Sequence, residues 1–339
     1  MIKKILSIKS GELMIQKDKI EHIANITNLA VTTVKRFFYE PEKLHIETFR
    51  TIISVLAKHY PEELRKIAEN DYRDILLIFP DNELMIISDI INILQKLALK
   101  YNFDIRLYEN KKHLSLNKLI EINKKKWINI RGIITLGTIA ENIPEDFLVP
   151  TVFINNMQQQ PYGVNIDVND YLGGRLAIKH LHDNLWERPA FVTYEYFDKP
   201  SKERYNGVRT ECENLNIECK IIKTTDFSME ETYLTTKKIL SNENIDSIFY
   251  FCDQMAIGGM RAINDYGYKI GKDIGVIGFD NLVISKFLDL SSMDQGLYEK
   301  LSYSVKYILF GNGKYFDEKL PLISYSPEVI IRKSSIKTE

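Results

Sequence analysis

The chain has 339 residues, 45% of them hydrophobic and 27% charged, which is ordinary for a globular protein and long enough for two or three folding units. A formal net charge of -1 excludes nucleic-acid binding through overall positive charge, although a local basic cluster could still bind DNA. Three irregularly spaced cysteines exclude a disulfide framework and a zinc site. No stretch approaches the roughly 18 apolar residues that span a bilayer. We therefore expect a cytoplasmic protein without membrane association, metal or cofactor.

Residues 18–60 carry three apolar stripes at helical spacing, which predict three short helices. Asp18 and Glu21 form a capping-box pattern that opens the first helix. Asn28, which tolerates a left-handed turn, separates the first two helices, and the second ends before Pro41. The apolar positions are Ile20, Ile23 and Ala24, then Val31, Val34, Phe37 and Phe38, then Ile46, Phe49, Ile52, Ile53 and Leu56. This arrangement is typical of a helix-turn-helix DNA-binding domain.

The second of these helices supplies the candidate DNA-binding residues. A recognition helix reads base edges with its N-terminal side chains and contacts phosphates with basic ones. The candidates are Val31, Thr32, Thr33, Lys35, Arg36 and Tyr39. The alternative is a solvated face on a small helical bundle, since the segment from Lys19 to Tyr60 has only six Lys and Arg against four Asp and Glu.

A polar, charge-rich stretch at residues 61–73 is predicted to be a hinge or linker. From residue 74 to 334, short apolar strands alternate with amphipathic helices, which predicts an α/β fold with parallel sheets covered on both faces. The predicted strands are 75–79, 104–108, 132–136, 151–154, 190–194, 219–222, 247–251 and 274–278, and the helices include 85–101, 114–126 and 171–185. Two comparable halves suggest two lobes with a ligand cleft between them.

Several polar residues follow these strands and are candidates for ligand contacts. Carboxylates and a guanidinium can each hold two adjacent hydroxyls, as a sugar requires. Those at strand ends are Asn155, Asp253, Asp280 and Gln295, while Arg204 is expected to start a helix and Phe227 could stack on a sugar ring. Taken singly, each could be an ordinary turn or cap residue.

The sequence shows no catalytic constellation. It has no GxGxxG after the first strand, no P-loop and no nucleophile elbow. His180 and His182 are two residues apart on a predicted helix, so they face different directions and cannot share a metal. The pair Gly258-Gly259 falls inside a predicted helix, which favours a packing role. We therefore expect a binding protein rather than an enzyme.

Ordered motifs in the second part of the chain resemble the lactose-repressor/galactose-repressor (LacI/GalR) family, and the similarity extends from about Lys19 to Ser334. In the first part, Val31-Thr32-Thr33-Val34-Lys35-Arg36 and Pro41-Glu42-Lys43 echo its helix-turn-helix. The more specific motifs are Asp167 with Gly173-Gly174-Arg175-Leu176-Ala177, Arg204-Tyr205-Asn206-Gly207, Cys252-Asp253-Gln254-Met255-Ala256, Gly275-Val276-Ile277-Gly278-Phe279-Asp280-Asn281 and Ile330-Ile331-Arg332-Lys333-Ser334.

The resemblance implies a repressor of a carbohydrate-utilisation operon. Its fold would be a helix-turn-helix domain joined to a two-lobed, periplasmic-binding-protein-like effector and dimerisation domain. Its partners would be operator DNA, a small effector such as a sugar, and further copies of the chain in a homodimer or tetramer. Arg204 and Asp280 would clasp effector hydroxyls, and the pocket would be completed by Asn155, Phe227, Cys252 or Asp253, and Gln295. Val31 and Thr32 would face bases.

Departures from the family pattern keep other hypotheses open. Ala30 stands where the family has a capping Ser, and the hinge carries Glu62 and Glu63, which phosphates would repel. Leu64 or Ile67 could be the hinge residue that enters the minor groove. The alternatives are a ligand sensor with a degenerate DNA-binding head, a purine- or nucleoside-responsive regulator, and an α/β enzyme acting on a small polyol.

Overall fold

The computed structural model describes residues 17–39, 44–61, 63, 74–80, 85–110, 118–119, 130–137, 149–155, 163–194, 199–310 and 322–339. The chain divides into two compact units. The first unit draws on Met1–Asp81, Lys96–Asn165 and Tyr303–Pro321, and the second on Asn82–Gln95, Ile166–Ser302 and Leu322–Glu339. The helix expected at 114–126 and the hinge positions Leu64 and Ile67 lie outside the described residues, apart from residues 118–119.

Three short helices, α1 (Lys17–Thr27), α2 (Val31–Tyr39) and α3 (Ile46–His59), pack around one apolar cluster, as a helix-turn-helix domain requires. Asn28 has φ 53° in the turn between α1 and α2, which confirms its predicted left-handed conformation. One detail was predicted wrongly, because Asp18 lies inside the first turn of α1 rather than capping it. Val31, which was assigned both to the apolar stripe and to the DNA-binding candidates, is 37% exposed.

The first sheet has six strands in the order β11-β5-β4-β3-β1-β2. Its strands are β1 (Asp74–Pro80), β2 (Asp104–Asn110), β3 (Ile130–Leu136), β4 (Thr151–Ile154), β5 (Val164–Val168) and β11 (Leu322–Tyr325). The neighbours β1–β2, β1–β3 and β3–β4 are parallel. Helix α4 (Met85–Tyr101) connects β1 to β2 along the chain. Residues 74–78 of β1 are all buried, which fits a strand covered on both faces.

The second sheet has the order β12-β10-β9-β8-β6-β7. Its strands are β6 (Pro189–Tyr194), β7 (Lys220–Thr224), β8 (Ser247–Tyr250), β9 (Gly275–Phe279), β10 (Ser291–Asp294) and β12 (Glu328–Ile330). The helices of this part are α5 (Asp170–Asp183), α6 (Lys199–Leu215), α7 (Met229–Asn242), α8 (Asp253–Asp265), α9 (Val283–Phe287) and α10 (Leu297–Phe310). A buried apolar cluster extends across this sheet and its helices.

Both sheets follow the same winding, because the first strand lies between the second and third and the later strands extend the sheet on one side. Each sheet then gains an edge strand from the C-terminal part of the chain. The expected α/β architecture is thus confirmed, with two corrections. Strands β5, β10, β11 and β12 were not predicted, and β12 pairs antiparallel to β10 rather than extending a purely parallel sheet.

Candidate functional site

Arg204 is the centre of a buried polar cluster in the second unit. It lies within α6 rather than at its start, and it is only 4% exposed. Its Nε donates to Asp170 Oδ1 at 2.7 Å, and Nη1 donates to the backbone oxygen of Phe251. The guanidinium also stacks on two rings, 3.4 Å from the centroid of Phe279 and 4.3 Å from that of Phe251. These contacts fix its orientation.

Asp280 directly follows β9 and has φ 112°, a backbone conformation that costs free energy for any residue but glycine. Its backbone N–H donates to the Met293 oxygen at 2.9 Å, and its Oδ1 accepts from Gln295 Nε2 at 2.7 Å. Burial raises the pKa of Asp280 to about 8, although the positive charge of Arg204 acts to lower it. Strain of this kind is concentrated at binding sites, which makes Asp280 a strong candidate.

Lys300 was missed by the sequence analysis. It lies on α10 with no solvent exposure, and its Nζ donates to Gln295 Oε1 at 2.6 Å. Burial lowers the pKa of Lys300 to about 8, while the carboxylates of Asp170 and Asp280 oppose that shift. The available signal was a lysine three residues after the buried Leu297 and thus on the apolar stripe of a helix.

The Asp253 side chain is enclosed in the protein core rather than open to a ligand. Its carboxylate is fully buried at the start of α8. Oδ2 accepts from the Leu282 backbone at 2.9 Å and from Ser285 Oγ, and Oδ1 accepts from Ser292 Oγ at 2.6 Å. Burial raises its pKa to about 6. The preceding Cys252 is also buried, and burial raises the pKa of its thiol.

Two further predicted residues occupy different surroundings. Phe227 is half-buried and packs edge-on against Tyr194, with ring centroids 4.6 Å apart. Tyr194 in turn contacts Phe251, so this aromatic group adjoins the Arg204 cluster. Asn155 belongs to the first unit, where it directly follows β4 with φ 53°. The structure therefore brings Arg204, Phe227, Asp280 and Gln295 into one unit and adds Asp170 and Lys300 to them.

The candidate DNA-binding surface is the first two turns of α2. Its exposed residues are Val31, Thr32, Lys35 and Arg36, while Thr33 is half-buried and the side chain of Tyr39 lies outside the described part of the chain. The acidic residue after α3, Glu63, forms an ion pair with Lys19 of α1 at 2.5 Å. Its negative charge is therefore balanced within the helical domain, which weakens the expectation that it would repel phosphates.

Comparisons with known proteins agree with this fold. Residues 178–335 match the model of the periplasmic binding protein-like domain. The HTH-type transcriptional repressor PurR of Mannheimia succiniciproducens is 25% identical over 330 residues, covering 93% of this chain and 98% of the relative. The chain is therefore similar in sequence to repressors of this kind over nearly its whole length.

Two solved LacI-family structures share the fold. A LacI family transcriptional regulator from Enterococcus faecium with bound ribose has a TM-score of 0.67 at 19% identity, covering 78% of this chain and all of that one. The Lac repressor dimer bound to operator and the anti-inducer ONPF has a TM-score of 0.64 at 18% identity, covering 93% of this chain and 98% of that one. The PurR relative is named as a repressor, not as an enzyme.

Several glycines in and next to the motifs that resemble the LacI/GalR family allow close packing around the site. Gly174 on α5 and Gly207 on α6 allow the two helices to approach so closely that a Cβ at either position would overlap the other helix's backbone. Gly259 leaves room for the buried ring of Tyr250, which confirms a packing role for the Gly258-Gly259 pair. These glycines therefore serve packing rather than ligand contact.

Among the residues that the structure describes, no helix is long and apolar enough to cross a membrane. The same residues contain no group of three or more His, Cys, Asp or Glu side chains arranged to hold a metal ion. His180 instead bonds Ser335 Oγ at 2.7 Å in the core.

Proposed function

We propose that this protein is a DNA-binding transcriptional repressor of the LacI/GalR family, and that a small sugar controls its affinity for its operator. The observation that carries the effector half is the cluster of Arg204, Asp280 and Gln295, in which a buried guanidinium from α6 accompanies a strained carboxylate directly after β9. The relative named as a repressor and the ribose-bound family structure support this assignment.

The charges of the cluster favour a neutral, hydroxyl-rich effector over a phosphorylated one. Arg204 is already paired with the carboxylate of Asp170 at 2.7 Å, and Asp280 adds a second acidic group near Arg204 and Lys300. A phosphate would therefore approach acidic as well as basic groups, whereas sugar hydroxyls can donate to a carboxylate and accept from a guanidinium. The half-buried Phe227 offers an apolar face for either a sugar ring or a purine, so purines remain the second candidate class.

The DNA-binding half is assigned to residues 18–60. Val31 and Thr32 would reach base edges, since they are exposed at the N-terminal end of α2, and Lys35 and Arg36 would contact phosphates. Residues 74–334 would hold the effector and form the dimer. An effector that binds one conformation of this part more tightly shifts operator affinity by linkage, typically by about 1–3 kcal/mol.

We assign the dimer contact to the short helix α9. Val283 is 62% exposed and Phe287 is 76% exposed, and Ile284 and Leu288 add to the same apolar face. Contiguous exposed apolar surface of this kind marks an interaction site. A second copy of the chain is the proposed occupant, because the Lac repressor of similar fold is a dimer on its operator. Two heads would then read a pseudo-palindromic site.

The decisive experiment is a gel shift on the DNA upstream of this protein's own coding region and its neighbours, at about 50–150 mM salt. We expect a shift that is released by one sugar from a panel of pentoses, hexoses and purines. Arg36→Ala should lose the shift, whereas Asp280→Ala should keep the shift but no longer respond to the sugar. A protein that binds sugar but shifts none of these fragments would instead be a ligand sensor without an active DNA-binding head.

A further inference from the structure

Lys300, Gln295 and Asp280 are joined by two consecutive hydrogen bonds. Lys300 Nζ donates to Gln295 Oε1 at 2.6 Å, and Gln295 Nε2 donates to Asp280 Oδ1 at 2.7 Å. Lys300 has no exposure and Gln295 only 2%, whereas Asp280 is partly exposed. Of these three side chains, Asp280 is therefore the one placed to meet an effector.

The lysine also decides which way the Gln295 amide points. An ammonium group only donates hydrogen bonds, so it must face the amide oxygen. The amide nitrogen is then directed to Asp280 Oδ1, which leaves the geometry of the carboxylate fixed at one oxygen. Without Lys300, the amide oxygen loses the donor that holds it, so the amide is held only at its nitrogen and can move relative to Asp280.

The charge on Lys300 acts on Asp280 as well. The charged and titratable groups that face this pair are Asp167 from β5, Asp170 from α5, Arg204 from α6, and Cys252 and Asp253 at the start of α8. Arg204 and Lys300 lower the pKa of Asp280, while burial and the carboxylates of Asp170 and Asp253 raise it, with a result of about 8. Lys300 thus supplies one of the two positive charges that favour the ionised carboxylate.

We propose that Lys300 is a positioning residue that presents Asp280 to the effector, through Gln295, as an ionised and oriented carboxylate. Effector binding to the ionised form then releases a proton from any Asp280 that was protonated beforehand. The proposal rests on the proposed function in one respect only, namely that Asp280 accepts effector hydroxyls. It adds a role for a buried lysine and a pH dependence to that site.

The first test needs no ligand. The carboxyl carbons of the aspartates are labelled with ¹³C, the Asp280 signal is assigned with Asp280→Asn, and its chemical shift is followed from pH 5 to 10. We expect the titration midpoint of Asp280 to rise by at least about one pH unit in Lys300→Met, because a positive charge is removed. Lys306→Met is the matched control, since Lys306 is exposed on the same helix, and it should leave the midpoint unchanged.

An unchanged Asp280 midpoint in a folded Lys300→Met protein would overturn the proposal. If that variant does not fold, Gln295→Leu provides the second reading, because it keeps the lysine and breaks only the bridge. We then expect sugar affinity to fall at least fivefold while the Asp280 midpoint moves less than one unit. Unchanged affinity in Gln295→Leu would also overturn it.

The second test measures binding of D-ribose by calorimetry between pH 6 and 9, in two buffers that differ in ionisation enthalpy. Below about pH 8, we expect Kd to decrease by up to tenfold for each unit by which the pH is raised. Up to one proton should be released per ribose bound. Lys300→Met should move this dependence to higher pH, and a pH-independent Kd would refute the proton release. If D-ribose and the other sugars of the panel do not bind at any pH, the proposed sugar effector is wrong, whereas the carbon titration still decides the role of Lys300.

Discussion

Asp253 gives the sharpest test of the structure, because the sequence placed it in the effector pocket and the structure places it in the core. Its carboxylate accepts hydrogen bonds from the Leu282 backbone, Ser285 and Ser292. In Asp253→Ala the buried Leu282 N–H is left without a partner, which costs about 1–3 kcal/mol. The two hydroxyls can rotate to other acceptors at smaller cost. We therefore expect the free energy of unfolding to fall by about 2–4 kcal/mol.

The pH dependence gives a second, independent magnitude. Burial raises the pKa of Asp253 from 3.8 to about 6 in the folded state. Because this folded-state pKa lies above the unfolded value, the folded protein holds the proton over this range, and stability falls as pH rises from about 4 to about 6. The shift corresponds to about 3 kcal/mol. The stability of the wild type relative to Asp253→Asn should decrease by about 2 kcal/mol between pH 4 and pH 7.

The assay is urea denaturation followed by the fluorescence of Trp186, which is fully buried in the second unit. Trp127→Phe in every variant leaves Trp186 as the single reporter. Asp265→Ala is the control, because this carboxylate is exposed at the end of α8 and its ion pair with Arg261 should contribute less than about 1 kcal/mol. An Asp253→Ala protein with unchanged stability and a lost sugar response would refute the reasoning and return Asp253 to the pocket.

Three further outcomes are expected. In the same urea assay, Gly207→Ala should destabilise the second unit by more than about 3 kcal/mol, because its Cβ would overlap the Tyr171 backbone. The control Gly267→Ala should cost about 1 kcal/mol, because Gly267 has open space around it and a φ of 93°. Lys35→Ala should weaken binding to operator and to unrelated DNA alike and reduce the salt slope by about one, measured by fluorescence anisotropy; an effect confined to operator would contradict a phosphate contact. Phe287→Glu should turn a dimer into a monomer in light scattering, while the exposed but isolated Leu185→Glu should not.

Periodicity and composition predict most of the fold because they report on burial. The strand at 75–79 and the helix at 85–101 were predicted within one residue, since each has a long, regular apolar pattern. The strands that were missed are short or polar. Ser291–Asp294 contains two serines whose hydroxyls bond buried partners, so it reads as a loop. Glu328–Ile330 has only three residues and lies at an edge.

The candidate site was predicted less completely, because its polar residues are held by contacts between distant parts of the chain. Arg204 and Asp280 could be named from their positions and from the family resemblance. The pairing of Lys300 with Gln295 could not, because a lysine on a helix is normally solvated. Asp253 is the opposite case, since a carboxylate after a strand is an equally good partner for serines in the core, and the structure surrounds it with such donors. Only the fold distinguishes these two surroundings.

The motif at residues 330–334 explains how the strained turn that contains Asp280 is maintained. The adjacent Asn281 also has positive φ, at 51°. Its backbone N–H donates to Ser292, its amide donates to Asp294, and its side-chain oxygen accepts from Arg332 Nη2 at 2.6 Å. Backbone strain of about 1–3 kcal/mol persists only where surrounding contacts determine the conformation several times over. Arg332 lies 51 residues further along the chain, so the geometry of the candidate site depends on β12 being paired at the edge of the second sheet. Truncation of the chain before residue 328 should therefore remove sugar binding, even though it deletes none of the proposed effector contacts.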